Sequence, residues 1–525
     1  MNFPWHIRVL LAAASGAALA FSFPNYNLSI LAWVAVGALI VASLGARPIV
    51  APLFGIVHGL FFYPLSVAWI DVVMQQYGNV DPWTSAGILA LIAVAGGLIC
   101  AVFSWAIALA SRKSNALAGA LAPFLWVALE FGRGHLPIIA FPWNFIGYAA
   151  SGNLALVQIT TATGIYGLSF IVVAYSSLAA YAYSLGTERM WKIALAVGGA
   201  IVLIAFGGGY FVPRAEPRFL AHLVQTNFPQ SEEYPSDWLQ LHARDLDGLE
   251  DLSVDAVKRF AALTDSPGAP ALPGLIVWPE VPAPFSLQDQ PFADRARRIA
   301  QDSASDFLVG VADWKPGPPG KLLASNTAVL LDPAGRRVFT YDKIHLVPFG
   351  EYVPLRDWLT FAGKLTADIG DFTPGKTYSV GRTPYGSFGV FICYEAVFPG
   401  DVRRFTLNGA NLLINISNDG WFGRSAAPAQ HLMMARVRAV ENRRWLLRDT
   451  NNGYTVSVDP YGRIVAELAT DIRGQLNAPY DFRGDLTPYV RWGDWFAWLC
   501  VIASLGLTGY AIAIRFKQRA QEGSS

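Results

Sequence analysis

Long apolar runs dominate the first 212 residues of the chain. Seven of them approach the length of about 20 mostly apolar residues that crosses a bilayer as a helix, and an eighth lies near the C-terminus. The runs lie at 8–22, 28–44, 49–70, 85–111, 115–133, 153–184, 190–212 and 495–515. This pattern predicts a polytopic α-helical membrane domain with about eight spans. The small residues of the first run also fit a secretory signal peptide, although no clean cleavage site follows them.

Between residues 219 and 480 the pattern changes to short apolar runs that end in polar residues, Gly or Pro. Continuously apolar runs are typical of a sheet covered on both faces. We predict strands at 220–224, 275–278, 307–311, 327–331, 389–393, 412–416 and 454–458, with helices at 291–303 and 431–444. The expected organisation is a membrane domain (1–212), an inserted α/β domain (213–494), and a final span with its tail (495–525).

Charge supports this division and predicts an orientation. Residues 1–212 carry only 11 of the 77 charged side chains. With the N-terminus inside, nine Lys and Arg residues lie in cytoplasmic segments, and only Arg133 lies in the opposite loops. By the positive-inside rule, both termini are then cytoplasmic and residues 213–494 lie on the outer side. The net charge of +1 gives no electrostatic reason to expect a nucleic-acid partner.

One cysteine stands apart from the other two. Cys100 and Cys500 lie in predicted spans, whereas Cys393 is alone in the inserted domain. Without a disulfide partner in that domain, Cys393 is either an inert buried thiol or a reactive one. It closes a predicted strand, and residues at the carboxyl ends of strands in α/β sheets face the crevice where such folds bind ligands. This position favours the reactive alternative.

Two further predicted strands end in groups that activate thiols. Glu280 follows the strand at 275–278, and Lys343 follows a strand that includes Phe339 and Tyr341. A carboxylate can remove the proton of a thiol, while a nearby cation lowers the thiol pKa or stabilises an oxyanion. Spacing alone leaves open whether the three side chains meet.

The segments around these residues resemble the three signature segments of the nitrilase (carbon–nitrogen hydrolase) superfamily, in the same order. They are Trp278-Pro-Glu280, Lys343-Ile-His-Leu-Val-Pro-Phe-Gly-Glu351 and Ile392-Cys393-Tyr-Glu395. Seven spans, an inserted domain and a final span resemble one family in particular, the apolipoprotein N-acyltransferases. The resemblance implies that the inserted domain is an αββα sandwich.

The resemblance also implies roles for individual residues. Glu280 would be the general base, Lys343 the oxyanion stabiliser and Cys393 the nucleophile. Supporting roles fall on Glu351, Tyr394 and Glu395, and substrate-binding roles on Asn326 and Trp421. For Glu351, Glu395 and Trp421, purely structural roles fit the sequence as well.

The activity implied by the resemblance is acyl transfer in two steps. Cys393 would take the sn-1 acyl chain of a phospholipid as a thioester and pass it to the α-amine of a diacylglyceryl-apolipoprotein. The expected location is the inner membrane of a bacterium, with the catalytic domain in the periplasm. No cofactor or nucleotide is expected, because the sequence has no phosphate-binding Gly loop. No metal is expected, because the seven His residues show no ligand spacing.

Hydrolysis of the thioester by water would compete with acyl transfer, so we expect a loop that covers the site. The stretch 357–370 combines apolar side chains with Gly and follows the Lys343 segment. We interpret it as a lid, because closing loops commonly exclude water from such intermediates.

Other functions stay open at this point. A membrane-tethered amidase that hydrolyses a small amide would use the same Glu, Lys and Cys, although a soluble substrate gives no reason for eight spans. A Cys–His protease could use His345 or His431. A transporter or sensor without catalysis could use His58, Glu130 or Arg133 in the membrane.

Overall fold

The computed structural model describes residues 3–136, 140–230, 234–264, 274–317, 322–348, 350–352 and 372–522. Apolar helices form its first part, and an α/β sandwich follows. A last long helix begins at Trp495. The predicted fold class, a polytopic helical domain with an inserted α/β domain, is confirmed.

Each of the eight predicted runs contains an apolar helix. Within the described residues, five helices (α5, α6, α10, α11 and α18) have the length and hydropathy of membrane spans, and the pair α3 and α4, bent by 56°, makes a sixth. Two shorter apolar helices, α1 and α2, complete the set. The helices of this part are α1 (Trp5–Phe21), α2 (Ala32–Ser43), α3 (Pro52–Ser66), α4 (Trp69–Gln76), α5 (Pro82–Ser111), α6 (Asn115–His135), α7 (Ile146–Ala150), α8 (Leu154–Val157), α9 (Thr160–Thr163), α10 (Ile165–Leu185), α11 (Glu188–Gly207) and α18 (Trp495–Glu522).

The predicted run at 153–184 is not one helix, which corrects the sequence interpretation. The chain forms the short helices α8 and α9 and then turns at Gly164, whose φ of 62° lies in the left-handed region. A Cβ at Gly164 would lie 2.7 Å from the ring of Tyr489. The single long helix therefore begins only at Ile165, and hydropathy cannot detect this break because the residues on both sides are apolar.

The inserted domain contains two six-stranded sheets, in the orders β12-β1-β2-β3-β4-β5 and β11-β10-β9-β8-β7-β6. Strands β1, β2 and β3 are parallel, as are β7, β8 and β9. The strands are β1 (Phe219–Gln225), β2 (Leu275–Val277), β3 (Asp306–Pro316), β4 (Leu322–Leu331), β5 (Arg337–Asp342), β6 (Val380–Thr383), β7 (Gly386–Ile392), β8 (Leu412–Ser417), β9 (Leu446–Thr450), β10 (Val456–Val458), β11 (Ile464–Glu467) and β12 (Gly474–Tyr480).

Alternation along the strands builds the expected αββα layers. In the first sheet, Ile276 and Val309 pack in a cluster with residues of the covering helices, whereas Val277 and Leu308 belong to the core that includes the second sheet. Adjacent side chains of a strand point to opposite faces of the sheet. The first sheet therefore packs against the covering helices on one face and against the second sheet on the other. The remaining helices are α12 (Trp238–Leu241), α13 (Ala243–Thr264), α14 (Gln290–Ser303), α15 (Pro399–Leu407), α16 (Ala427–Asn442) and α17 (Pro488–Trp492).

The sandwich and the apolar helices share one continuous core. Buried residues of the helical part, such as Trp143 and Tyr148, belong to the same cluster as Ile392 and Met434 of the inserted domain. Polar contacts cross the same boundary: the Glu441 carboxylate of α16 accepts a hydrogen bond from the Ile165 amide, 2.9 Å away, at the start of α10. The inserted domain therefore packs directly on the membrane part.

Candidate active site

Strand direction brings the three predicted residues to one region of the sandwich. Glu280 follows β2, and Lys343 follows β5, which runs in the same direction as β2 because β3 is parallel to β2 and both β3–β4 and β4–β5 are antiparallel. Cys393 follows β7 in the second sheet. Glu280 reaches that second sheet as well, because its Oε2 accepts a hydrogen bond of 2.8 Å from the Asn418 amide after β8.

Cys393 occupies a strained turn. The predicted strand at 389–393 ends at Ile392, and Cys393 begins a 3-10 turn that extends to Val397. Its φ of 50° lies in the left-handed region, which is uncommon for residues other than Gly and is frequent at functional sites. The side chain is buried with 7% exposure. The turn therefore presents the thiol at the carboxyl end of a parallel strand.

Lys343 lies between two carboxylates. Its Nζ donates to Glu280 Oε1 at 3.0 Å and to Glu351 Oε1 at 2.9 Å. The Asn326 side-chain amide donates to the same two oxygens, at 2.7 Å and 2.8 Å. Glu351 Oε2 accepts a further bond from the Val347 amide. The network holds each carboxylate within hydrogen-bond distance of the Lys343 ammonium.

Electrostatics keep the thiol protonated and the amine charged. Burial raises the pKa of the Cys393 thiol well above its ordinary value; Glu280 raises it further, and Lys343 lowers it. Burial alone would lower the pKa of Lys343, but Glu280 and Glu351 raise it well above its usual range. A thiol in this state requires a base at the moment of attack.

Glu395 connects the segments that carry Lys343 and Cys393. Its Oε1 accepts hydrogen bonds from the Tyr341 hydroxyl (2.8 Å) and from the amides of Ile344 (2.7 Å) and His345 (3.1 Å), and its Oε2 accepts one from the Ile392 amide at 2.7 Å. Burial raises the pKa of this carboxyl to about 7, although these donors oppose the shift. The hydrogen-bond partners of Glu395 are thus one tyrosine hydroxyl and three backbone amides.

A buried network that the sequence analysis did not identify lies beneath the turn. His431 Nε2 is 3.0 Å from the Cys393 carbonyl oxygen, so this nitrogen carries the proton. Burial lowers the pKa of His431, which is therefore neutral. Its Nδ1 lies 3.2 Å from Arg448 Nη2 and 3.2 Å from Asp419 Oδ1, and Arg448 pairs with Asp419 at 2.8 Å. His431 Nε2 thus bonds to the backbone of the Cys393 turn, whereas a Cys–His protease would need a bond to the thiol.

Aromatic residues connect the site to loops of the helical part that face the inserted domain. The Tyr394 ring stacks on Trp143 with centroids 6.5 Å apart, and its hydroxyl donates to the Ala140 carbonyl at 3.4 Å. The Trp421 ring meets Tyr77 edge-on at 5.4 Å. Both predicted residues therefore lie where the inserted domain contacts the helices.

Gly310 permits the close approach of β3 to the Glu280 segment. A Cβ there would lie 2.5 Å from the Pro279 carbonyl oxygen and 2.8 Å from Glu280 Cα, both backbone atoms. We expect Gly310→Ala to displace Glu280 and slow the reaction at Cys393 by about 10- to 100-fold, because small displacements of catalytic groups have such effects. Gly248→Ala is the matched control, since nothing lies within 4 Å of its Cβ position. Equal activity of the two variants would contradict this prediction.

The stretch 357–370, interpreted as a lid, lies outside the described residues. Among the residues that the structure does describe, no group of three or more His, Cys, Asp or Glu side chains could hold a metal ion.

Comparison with known proteins covers nearly the whole chain. Residues 15–178 match the family model for the apolipoprotein N-acyltransferase N-terminal domain, and residues 271–482 match the model for carbon-nitrogen hydrolases. An apolipoprotein N-acyltransferase of Geobacter metallireducens is 36% identical over 97% of this chain and 95% of its own length. Another, of Methylococcus capsulatus, is 31% identical over 98% and 97%. A crystal structure of an amidase from Nesterenkonia sp. is 22% identical over 53% of this chain and 94% of that one, and its TM-score of 0.36 is too low to carry an argument. The chain belongs to the apolipoprotein N-acyltransferase family.

Proposed function

We propose that this protein transfers the sn-1 acyl chain of a phospholipid to the α-amine of the N-terminal diacylglyceryl-cysteine of apolipoproteins. The family's curated members carry the name of this activity. The observation that carries the proposal is the hydrogen-bonded group of Glu280, Lys343 and Glu351. The charge of Glu280 raises the pKa of the Cys393 thiol, and the charge of Lys343 lowers it.

In the first half-reaction, Glu280 removes the proton of the Cys393 thiol and the sulfur attacks the ester carbonyl carbon. Negative charge develops on the carbonyl oxygen, and the Lys343 ammonium stabilises it. The C–O bond of the ester then breaks, and the leaving oxygen takes the proton from Glu280. The products are a lysophospholipid and an acyl thioester on Cys393.

In the second half-reaction, the amine of the acceptor attacks the thioester carbon. Glu280 accepts a proton from the attacking nitrogen, Lys343 again stabilises the oxyanion, and the C–S bond breaks. The sulfur takes this proton from Glu280, which restores the enzyme and releases the amide. Because the first product leaves before the acceptor enters, the kinetics are ping-pong.

The neighbouring residues are assigned supporting roles. Glu351 holds Lys343 in place, and Glu395 sets the distance between the Lys343 segment and the Cys393 turn through its four hydrogen bonds. Asn326 donates to both glutamates, and its buried Oδ1 has no partner among the described residues. We assign that oxygen to the N–H of the acceptor amine. Tyr394 and Trp421 contact the outer segments of the helical part and are assigned to the acyl chain.

The membrane arrangement follows the charge pattern of the sequence. We place both termini in the cytoplasm of a bacterium and residues 213–494 on the periplasmic face of the inner membrane, between spans within 1–212 and a last span within 495–525. The bias of Lys and Arg toward one side supports this orientation. Both proposed substrates are membrane lipids, so a site held against the outer leaflet meets them directly.

The donor and the bond that breaks are tested with a phospholipid labelled in only one acyl chain. The purified protein is incubated in detergent with this lipid and a synthetic diacylated lipopeptide, and the products are identified by mass spectrometry. We expect the sn-1 label on the lipopeptide amine and an equal amount of lysophospholipid. Release of free fatty acid without amide formation would favour a hydrolase and contradict the proposal.

The raised thiol pKa predicts the pH dependence of Cys393 alkylation. Because the pKa lies well above its ordinary value, the thiolate fraction is small at neutral pH and grows as pH rises. Alkylation by iodoacetamide, followed at the Cys393 peptide, should increase about tenfold per pH unit between pH 7 and 9 without reaching a plateau. A plateau below pH 8 would show a depressed thiol pKa and contradict the prediction.

A further inference from the structure

Gln430 joins three separate outer segments of the helical part. It lies on α16, is fully buried, and immediately precedes His431. Its Oε1 accepts a hydrogen bond of 2.7 Å from the Trp143 indole N–H. Its Nε2 donates to the carbonyl oxygens of Pro24 at 2.7 Å and Ser66 at 2.9 Å. One side chain of the inserted domain therefore bonds to the segment after α1, to the end of α3 and to the segment before α7.

These bonds satisfy two backbone carbonyls and one indole N–H at the boundary between the two parts of the protein. Ser66 is the last residue of α3, and the final carbonyls of a helix lack partners within the helix. In surroundings sheltered from water, an unpaired polar group costs about 1–3 kcal/mol. A glutamine side chain offers two N–H donors and a carbonyl acceptor. Glutamate lacks the donors and methionine lacks both functions, so neither reproduces the contacts.

The neighbours of Gln430 contact the Cys393 turn. His431, the next residue, donates to the Cys393 carbonyl oxygen. The Trp143 ring stacks on His431 with centroids 5.8 Å apart and on Tyr394, the residue after Cys393, at 6.5 Å. Gln430, Trp143, His431 and the Cys393–Tyr394 turn thus form one connected cluster that spans the boundary between the two parts of the protein.

We infer that Gln430 is a positioning residue that fixes the Cys393 turn relative to the outer ends of the membrane helices. The inference rests on the proposed function, because a fixed position at this boundary matters for substrates that the bilayer holds. A small soluble reagent approaches the thiol without this constraint. Loss of Gln430 should therefore impair reaction with lipid while leaving the intrinsic reactivity of the thiol unchanged.

The test compares two reactions of Cys393 in Gln430→Met and in the matched control Gln240→Met, whose side chain is exposed. The first reaction is acylation by phospholipid in mixed micelles, followed by intact mass. The second is alkylation by iodoacetamide, followed at the Cys393 peptide. We expect Gln430→Met to lower the acylation rate by about 10- to 100-fold, as displaced reacting groups do. Alkylation should stay within about twofold of the wild type, and the control should match the wild type in both reactions.

A double-mutant cycle with Trp143→Phe examines the shared hydrogen bond. Each single variant removes the same indole–amide bond, so Gln430→Met/Trp143→Phe should lose little beyond Gln430→Met alone. Additive losses would overturn the inference, as would unchanged acylation or a parallel fall in acylation and alkylation. If Gln430→Met does not fold, Trp143→Phe alone is measured. It should likewise lower the acylation rate and leave the alkylation rate unchanged.

Failure of the proposed function gives a different result. The wild type would then be alkylated at Cys393 but would gain no acyl chain from phospholipid. In that event, the thermal midpoints of the wild type, the two single variants and the double variant are compared in detergent. Coupling between Gln430 and Trp143 is still expected in these values. Absence of coupling there would overturn the inference independently of the activity.

Discussion

Glu280→Gln is expected to lower acylation of Cys393 by phospholipid about 10³-fold at neutral pH, a typical contribution of a general base. The glutamine keeps the size of the side chain and can still accept hydrogen bonds from Lys343 and Asn326, but it cannot remove the thiol proton. The charge of Glu280 also raises the pKa of Cys393. Its removal should therefore make alkylation by iodoacetamide as fast as in the wild type or faster, so that the two rates move in opposite directions.

Glu351→Gln is the matched control for this prediction, because it removes the same charge from the other side of Lys343. We expect a smaller loss of acylation, about tenfold, consistent with a positioning role. The measurements are stopped-flow or quenched acylation followed by intact mass, with alkylation followed at the Cys393 peptide. Comparable losses in the two variants, or a parallel fall in alkylation, would contradict the assignment of Glu280 as the base.

Lys343→Met is expected to abolish acyl transfer and also to destabilise the protein. The Lys343 side chain is 1% exposed and pairs with two nearly buried carboxylates. Removing one partner of a buried ion pair costs about 3–5 kcal/mol, because an uncompensated charge is left behind. The thermal midpoint in detergent should fall by roughly 10 °C.

The control for Lys343 is Lys315→Met. Lys315 also pairs with two carboxylates, Asp313 and Asp342, but its side chain is 37% exposed. Exposed ion pairs contribute about 1 kcal/mol or less, so its thermal midpoint should change little. Equal shifts of the two variants would contradict the electrostatic account of the site.

The sequence was sufficient to predict the architecture because hydropathy and period-two alternation reflect burial. It placed Glu280 and Cys393 at strand ends, and the observed strands end at Val277 and Ile392. It did not establish that the side chains meet, because Glu280 and Cys393 follow strands of different sheets. Their relation depends on how the two sheets pack, which the spacing of residues within one strand does not determine.

The sequence did not predict several elements, and each has a physical reason. Strand β9 contains Arg448 and Asp449, which interrupt the apolar pattern, yet Arg448 is buried because it pairs with Asp419. Strand β12 is an edge strand that contains Pro479, and its sequence has no continuous apolar run. The roles of Gln430 and His431 depend on groups remote in the chain, among them Pro24 and Cys393. No local pattern marks such contacts.

The most direct test of the central claim is the intact mass of the purified protein after incubation with phospholipid micelles without acceptor. The wild type should gain one fatty-acyl increment that neutral hydroxylamine removes, and a diacylated lipopeptide added afterwards should discharge it. Cys393→Ala should gain nothing. An unmodified, folded wild type that hydrolyses small amides would contradict the account and favour a membrane-tethered amidase.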